Sequence, residues 1–150
     1  SVDELDTLFN KRSGMMGLTG FGDLREVHRL VEEGNEDAKL ALDIYVHRIV
    51  GYIGNYTAQM GGVDVITFTA GVGENDDVVR KMVCDKLAPF GVKLDEEKNA
   101  TRSKEPRIIS TPDSAVTICV IPTNEELAIA RKSAAIAEEG KDSYGNVFSK

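Results

Sequence analysis

Apolar residues in the first half of the chain recur every three or four positions, the spacing of one face of an α-helix. Asp23 is a suitable N-cap for a first helix, with Glu26 three residues later completing a capping box, and Gly34 ends it. Asn35 caps a second, longer helix that ends at the glycine pair 61–62. The apolar stripe of this longer helix consists of Leu42, Tyr45, Ile49, Ile53, Tyr56 and Met60.

The second half of the chain alternates between β-branched runs and helical periods. Residues 63–70 and 115–121 predict two strands, and we expect the first to be buried on both faces. Each run is followed by a turn and then by a helical period, over 76–87 and through about residue 136. Short extended pieces and turns fill residues 92–114. This order predicts an α/β protein with a mostly parallel sheet and flanking helices.

The predicted sheet is thin for the helices around it. Parallel sheets normally contain more strands than the two strong ones found here, and helices cover both of their faces. Residues 1–13 are mixed and polar, and Ser13–Gly14 indicates a turn. The pattern therefore predicts part of a larger α/β domain over residues 1–139, followed by a polar tail over 140–150.

The composition and net charge of the chain disfavour several classes of protein. The 150 residues are 41% hydrophobic and 29% charged, which is typical of a globular protein, and the net charge of −7 disfavours binding to nucleic acid or to an anionic membrane. No apolar run approaches the about 20 residues that cross a bilayer, and the first residues lack the features of a signal peptide. Cys84 and Cys119 have no metal-site spacing and fit free, buried thiols. We expect a cytoplasmic protein.

The first strand-to-helix turn is rich in glycine. Its sequence is Ala-Gly-Val-Gly-Glu-Asn over residues 70–75, and ligands of open α/β sheets bind outside the carboxyl ends of the strands. Glycines let a backbone approach a ligand closely, but the same pattern also fits a simple tight connector. The turn lacks the third glycine of a dinucleotide fingerprint and the Gly-Lys-Ser/Thr of a P-loop.

The second turn, over residues 121–126, contains two glutamates with different expected roles. Thr123 and Glu126 have the spacing of a capping box, which gives Glu126 a structural role. Glu125 has no such role. Its carboxylate either holds Mg²⁺ through water or only interacts favourably with the helix dipole.

Other polar residues are open to two interpretations. Asp23 is a helix cap first, and Arg25 is either a solvated helix charge or a donor to phosphate or ribose. His28 and His47 have no partner at ligand spacing, and we interpret them as surface or interface residues. The chain contains no nucleophile motif such as Gly-x-Ser-x-Gly and no His-Glu-x-x-His metal motif.

Two long segments, 68–75 and 120–131, resemble the acetate kinase family in sequence, order and spacing. Residues 13–20 are also similar to the family segment that precedes its Asp-aromatic-Arg nucleotide contact, although Leu24 stands at the aromatic position. The resemblance covers roughly residues 8–137 and matches only the C-terminal portion of the family. It implies a ribonuclease-H-like, actin-like ATPase domain whose first strands lie upstream of residue 1.

The resemblance also implies an activity. Acetate kinases reversibly transfer the γ-phosphoryl of ATP to acetate, giving acetyl phosphate and ADP, with Mg²⁺, and they pair as homodimers through their C-terminal domains. The groups that meet acetate and the transferred phosphoryl lie upstream, so we expect no catalytic residue in this chain and no activity from it alone. A propionate or butyrate kinase and a non-catalytic dimerisation fragment remain alternatives.

The resemblance assigns nine residues to binding. Glu125 would help to hold the metal. The nucleotide contacts would be Asp23, Leu24 and Arg25 on the adenosine and ribose side, and Gly71, Val72, Gly73, Glu74 and Asn75 as the adenine-side wall.

Overall fold

The structure is a computed structural model that describes residues 1–139, so the predicted polar tail lies outside the described residues. Within them the strands are β1 (Val65–Phe68), β2 (Arg107–Ile108) and β3 (Thr117–Val120). The helices are α1 (Val2–Lys11), α2 (Gly14–Thr19), α3 (Leu24–Glu32), α4 (Glu36–Met60), α5 (Ala70–Asn75), α6 (Asp77–Lys86), α7 (Glu96–Ala100) and α8 (Glu125–Glu139).

The three strands form one small mixed sheet in the order β1-β3-β2. β1 and β3 run parallel, with Val65 opposite Thr117 and Phe68 opposite Val120, whereas β2 pairs antiparallel to β3. The parallel pair and its flanking helices confirm the predicted α/β class. Because β1 and β3 are parallel neighbours, the turns that follow them lie at the same edge of the sheet.

The expectation that the first strand is buried on both faces is wrong for this chain. β1 is an edge strand of the described sheet, its residues alternate between exposed and partly buried, and Val65 is 53% exposed. The β-branched composition predicted a strand correctly, but burial depends on what packs against it. Within residues 1–139 nothing pairs with the outer side of β1.

The core lies between the sheet and helices α3, α4 and α6. Fully buried aliphatic side chains from all four elements meet there, among them Val27, Val46, Val83 and Ile118. The predicted helices α3, α4 and α6 are confirmed, with ends at the expected caps. The C-terminal end of the apolar stripe of α4 is not buried: Tyr56 and Met60 are exposed in the described part of the chain.

The N-terminal segment is helical, which hydrophobic periodicity did not indicate. Ser1 Oγ accepts a hydrogen bond from the Glu4 backbone N–H, and the Glu4 carboxylate accepts one from the Ser1 amino group, which is a capping box. The Ser-x-x-Glu spacing of residues 1–4 was the available signal. No residue of α1 is buried, so tertiary packing within the described residues adds little to this helix.

Asp23 caps α3 as predicted, because its Oδ1 accepts from Arg25 N–H at 2.9 Å. The predicted capping box with Glu26 is wrong. The Glu26 carboxylate turns along the helix surface and accepts from Arg29 Nε at 3.1 Å instead. An exposed cation one turn along the helix competes successfully for a carboxylate at this position.

Candidate functional site

A cleft of about 940 Å³ opens between α2, the N-terminus of α3, α4 and α5. Two segments that are far apart in sequence contribute to its lining. We call residues 23–25 the α3 wall and α5 (Ala70–Asn75) the α5 wall. The sequence-predicted residues that line it are Asp23, Leu24 and Arg25 of the α3 wall and Gly71, Val72 and Asn75 of the α5 wall. Gly73, Glu74 and Glu125 are not among its lining residues.

The α3 wall presents an ion pair to the cleft. Arg25 Nε donates to both carboxylate oxygens of Asp23, at 3.0 and 3.1 Å. This guanidinium holds the pKa of Asp23 at about 2, so the carboxylate is ionised at neutral pH. The Arg25 side chain is 89% exposed, which leaves it available to an incoming anion. The wall therefore offers a hydroxyl acceptor and a cation side by side.

The α5 wall is a short helix where the sequence indicated a glycine turn. Ala70, its first residue, has a φ of 58°, a left-handed conformation that costs a non-glycine residue about 1–2 kcal/mol. Asn75 Nδ2 donates to Gly71 O at 2.8 Å, an exposed hydrogen bond that links the two ends of the helix. The strained entry turns the chain sharply from β1 into the cleft wall.

The two glycines of α5 are not equivalent. A Cβ at Gly73 would lie 3.2 Å from the carbonyl carbon of Phe68, so this glycine allows α5 to pack closely on the end of β1. A Cβ at Gly71 would have no atom within 4 Å, and Gly71 lines the cleft. Gly73 is thus required by packing, whereas Gly71 leaves space for a ligand.

A buried arginine that the sequence analysis did not single out fixes the end of the α5 wall. Arg80 is 2% exposed, and its Nη1 donates to the carbonyls of Gly73 and Glu74, both at 3.0 Å. Its other guanidinium nitrogens donate to the side chain and backbone oxygens of Asn99, each at 2.7 Å. An arginine on the inward face of α6, one residue after Val79, was the available signal.

Glu74 joins the two strand-to-helix turns. Its Oε1 accepts from Thr123 N–H at 2.8 Å and from Thr123 Oγ1 at 3.0 Å. Donation from the Thr123 backbone N–H is the main cause that lowers the pKa of Glu74. The carboxylate therefore points toward the second turn rather than into the cleft, and it ties the α5 wall to the segment before Glu125.

The capping box predicted for Thr123 and Glu126 is wrong. Asn124 Oδ1 accepts from Leu127 N–H at 2.9 Å and caps α8, while the Thr123 hydroxyl is engaged by Glu74. The competing acceptor moves the cap by one residue, so Glu126 has no capping partner. Glu125 becomes the first residue of α8 and is exposed.

This reassignment has a measurable consequence for stability. Asn124→Ala removes the cap and should lower the free energy of unfolding by about 0.5–2 kcal/mol. Glu126→Ala, the matched control in the same turn, should change it by less than about 0.5 kcal/mol. Thermal and urea unfolding of the two variants measures the difference. A larger loss of stability in Glu126→Ala than in Asn124→Ala would indicate that Thr123 and Glu126 form a capping box, and it would contradict the structure.

The side chains of the second turn can be compared with the ligands that the expected Mg²⁺ requires. Within residues 1–139 no group of three or more His, Cys, Asp or Glu side chains gathers as a metal site. Glu125 offers one exposed carboxylate. Mg²⁺ keeps several waters and is commonly held by one or two carboxylates together with substrate phosphates. A single carboxylate fits Mg²⁺ held in that way, and it does not fit a metal held by this chain alone.

His28, which was interpreted as a surface or interface residue, is partly buried and has a carboxylate partner that its local sequence does not indicate. Its Nε2 lies 2.7 Å from Oδ2 of Asp76, 48 residues away in sequence. Asp76 lines the cleft beside Tyr45, whose pKa is raised by burial and by the Asp76 charge. His47 is exposed, as expected.

Besides Asp76, three polar residues that line the cleft were not predicted. Tyr45 and Arg48 project from α4, and Arg102 comes from the loop after α7. Arg48 Nη2 donates to Tyr52 Oη at 3.0 Å, with its guanidinium 5.3 Å from the Tyr52 ring centroid. Periodicity assigned Tyr45 to an apolar stripe, and no motif marks Arg48 or Arg102.

Two general expectations can also be checked. Both cysteines are free as expected, but only Cys84 is buried, whereas Cys119 is partly buried. Burial raises the pKa of the Cys84 thiol to about 11, so this thiol is inert at neutral pH. Among residues 1–139, none of the helices combines the length and the apolar character of a membrane span.

Comparison with known proteins identifies the family of this chain. A family model described as the acetokinase family matches residues 1–131. The acetate kinase of Leifsonia xyli subsp. xyli is 55% identical over 132 residues, which are 88% of this chain and 33% of that protein. The chain therefore spans about a third of the length of this curated relative.

Two solved structures share the fold. A crystal structure of Porphyromonas gingivalis acetate kinase has a TM-score of 0.82 and 41% identity, over 92% of this chain and 35% of that one. A propionate kinase from Francisella tularensis subsp. tularensis SCHU S4 has a TM-score of 0.78 and 40% identity, over 87% of this chain and 33% of that one. With the family match over most of its length, this chain belongs to the acetokinase family.

Proposed function

We propose that this chain is the nucleotide-binding, metal-side portion of an acetate kinase. The complete enzyme would reversibly transfer the γ-phosphoryl of ATP to acetate, giving acetyl phosphate and ADP. The observation that supports this most strongly is that residues 23–25 and three residues of α5, Gly71, Val72 and Asn75, line one cleft. Both segments were expected to contact the nucleotide, although residues 26–70 separate them in sequence.

The chemistry of the cleft suits a nucleoside. The ionised Asp23 carboxylate can accept hydrogen bonds from ribose hydroxyls, and Arg25 can approach a phosphate or stack on a base. Leu24 and Val72 supply apolar surface from opposite walls, and the absent side chain at Gly71 gives a planar base room to approach the backbone. Asn75 adds an amide oxygen that can accept a hydrogen bond, since its amide nitrogen already donates to Gly71 O.

Glu125 would hold Mg²⁺, which would neutralise charge on the nucleotide phosphates when bound. Glu74 supports this role indirectly, because its hydrogen bonds to Thr123 restrain the turn that precedes Glu125. The groups that contact acetate and the transferred phosphoryl would come from outside this chain. Residues 1–150 alone should therefore have no activity.

Acetate is the favoured acceptor, and propionate is the second candidate. The curated relative named above is an acetate kinase, whereas similarity to the solved propionate kinase is nearly as high as to the solved acetate kinase. We further propose a cytoplasmic homodimer. The exposed apolar end of the α4 stripe and the two free thiols support this, and the acidic charge disfavours nucleic acid and membrane partners.

A coupled assay of the complete enzyme tests the proposal. We expect Mg²⁺-dependent ADP formation from ATP with acetate, and weaker turnover with propionate and butyrate. Asp23→Ala should raise KM for ATP and leave KM for acetate unchanged, whereas Glu32→Ala, on the exposed surface of α3, should change neither. Turnover without any short-chain carboxylate dependence, or an unchanged KM for ATP in Asp23→Ala, would contradict the proposal.

The two glycines of α5 give a second, internal test. Gly71→Ala should leave stability unchanged or raise it by up to about 1 kcal/mol, since alanine favours a helix, yet it should weaken ADP binding by filling the cleft. Gly73→Ala should lower stability by about 1–3 kcal/mol because its Cβ meets the Phe68 backbone. Thermal unfolding and calorimetric ADP titration separate the two effects. Equal behaviour of the two variants would show that the cleft does not face the nucleotide at Gly71.

A further inference from the structure

We propose that His28 is a positioning residue that holds the α3 wall and the α5 wall of the cleft at the separation a nucleotide requires. It would act through Asp76, and neither residue would touch the transferred phosphoryl. This inference rests on the proposed nucleotide-binding function.

The two residues stand at the junctions of the two walls. His28 follows the Asp23–Arg25 pair by one helical turn on α3. Asp76 comes directly after Asn75, the last residue of α5, and caps α6. A contact between His28 and Asp76 therefore connects the element that presents one wall with the element that presents the other.

Asp76 is held firmly enough to act as a fixed point. Its Oδ1 accepts from Val79 N–H at 2.9 Å, and its backbone N–H donates to Val72 O at 2.9 Å. Its second carboxylate oxygen, Oδ2, is the one that meets His28 Nε2 at 2.7 Å. The His28 and Asp76 side chains are only 21% and 12% exposed, so water competes weakly for this hydrogen bond.

No other hydrogen bond within residues 1–139 joins α3 to the segment from Ala70 to Lys86. α3 otherwise contacts the core through Val27 and packs on α4. Loss of the His28 hydrogen bond would leave the wall separation to apolar packing, which is not directional. The distance between Asp23 and Gly71 would then vary.

The His28–Asp76 hydrogen bond also affects the charge at the cleft. Asp76 lines the cleft, and an unpaired carboxylate there would repel an anionic nucleotide. Donation from His28 Nε2 offsets part of this charge, while Tyr45 of α4 faces the same carboxylate and adds no positive charge. His28 would therefore favour nucleotide binding both by geometry and by charge.

The test uses the complete enzyme with three variants. His28→Leu removes the donor to Asp76. His28→Gln places an amide N–H about as far from the backbone as Nε2 of histidine. Glu32→Gln, on the exposed surface of α3, is the matched control. We measure KM for ATP, KM for acetate, kcat, and the Kd of ADP by calorimetry. His28→Leu should raise KM for ATP and the Kd of ADP about tenfold, the usual effect of losing a hydrogen bond to a charged group, with KM for acetate unchanged.

His28→Gln should recover nucleotide affinity to within about threefold of wild type, a difference well under the tenfold loss expected for His28→Leu. A purely structural role predicts instead that both KM values change together and that glutamine does not rescue. That result, or unchanged ADP affinity in a folded His28→Leu variant, overturns the proposal. If His28→Leu does not fold, His28→Asn, whose shorter amide does not reach the position of Nε2, takes its place, and unchanged ADP affinity in that variant overturns the proposal equally.

The two proposals fail in different ways. Wild-type enzyme that neither binds ADP nor transfers phosphoryl to a carboxylate contradicts the proposed function. Wild-type enzyme that does both, with His28 variants indistinguishable from it, contradicts only the positioning role.

Discussion

Replacing Glu125 with alanine in the complete enzyme should reduce turnover about 100-fold or more and raise the Mg²⁺ concentration needed for half-maximal rate. Bound Mg²⁺ would neutralise charge on the phosphates of the nucleotide, and Glu125 is the carboxylate of this chain that we propose would hold it. Folding should hardly change, since an exposed carboxylate in a first helical turn contributes only about 0.3–1 kcal/mol. Kinetics over a Mg²⁺ titration and thermal unfolding are the measurements.

Glu126→Ala is the control for this experiment. Glu126 is the next residue of α8, equally exposed, and free of the capping role that its spacing suggested. It should keep wild-type Mg²⁺ dependence. If Glu126→Ala loses metal dependence while Glu125→Ala keeps it, the two roles are reversed, and if neither changes it the metal is held elsewhere.

Arg80→Met should have the largest effect on stability, lowering the free energy of unfolding by about 3 kcal/mol or more. The methionine fills much of the same space but leaves the carbonyls of Gly73 and Glu74 and both oxygens of Asn99 without their donor. Buried acceptors without partners cost about 1–3 kcal/mol each before the structure relaxes. Urea unfolding of the complete protein measures this loss.

The same substitution should weaken ADP binding, because it releases the end of α5. Lys81→Met, at the next position of α6, removes only exposed ion pairs with Asp85 and Glu96 and should cost less than about 1 kcal/mol. Equal losses for Arg80→Met and Lys81→Met would show that the buried hydrogen bonds are not important. Normal ADP affinity in a folded Arg80→Met variant would show that α5 holds its shape without them.

Glu74 is linked to the turn that precedes Glu125. Glu74 was expected in the nucleotide wall, and its carboxylate instead accepts two hydrogen bonds from Thr123. The α5 wall, the turn over residues 121–126 and Arg80 thus form one connected unit at the carboxyl edge of the sheet. Loss of the hydrogen bonds that Glu74 or Arg80 makes within this unit should therefore affect nucleotide affinity and Mg²⁺ dependence together.

Local features of this protein could be predicted from its sequence because their causes lie within a few residues. The apolar spacing in α3, α4 and α6, the caps at Asp23 and Asn35, and the β-branched strands all depend on near neighbours. The motif segments also indicated the family before any fold was known. The nucleotide and metal roles of residues 23–25, 71–75 and 125 stay predictions until the variants are measured.

Only the tertiary structure decided which distant groups meet. His28 and Asp76 are 48 residues apart, Glu74 and Thr123 are 49, and Arg80 and Asn99 are 19, and no local pattern records such partners. The same holds where two local solutions compete: Asn124 caps α8 because Glu74 occupies the Thr123 hydroxyl. The strand character of β1 follows from its residues, whereas its position at the sheet edge follows from which strands are beside it. Sequence thus determined the elements and their caps, and packing over long sequence distances determined the partners of the polar groups that shape the cleft.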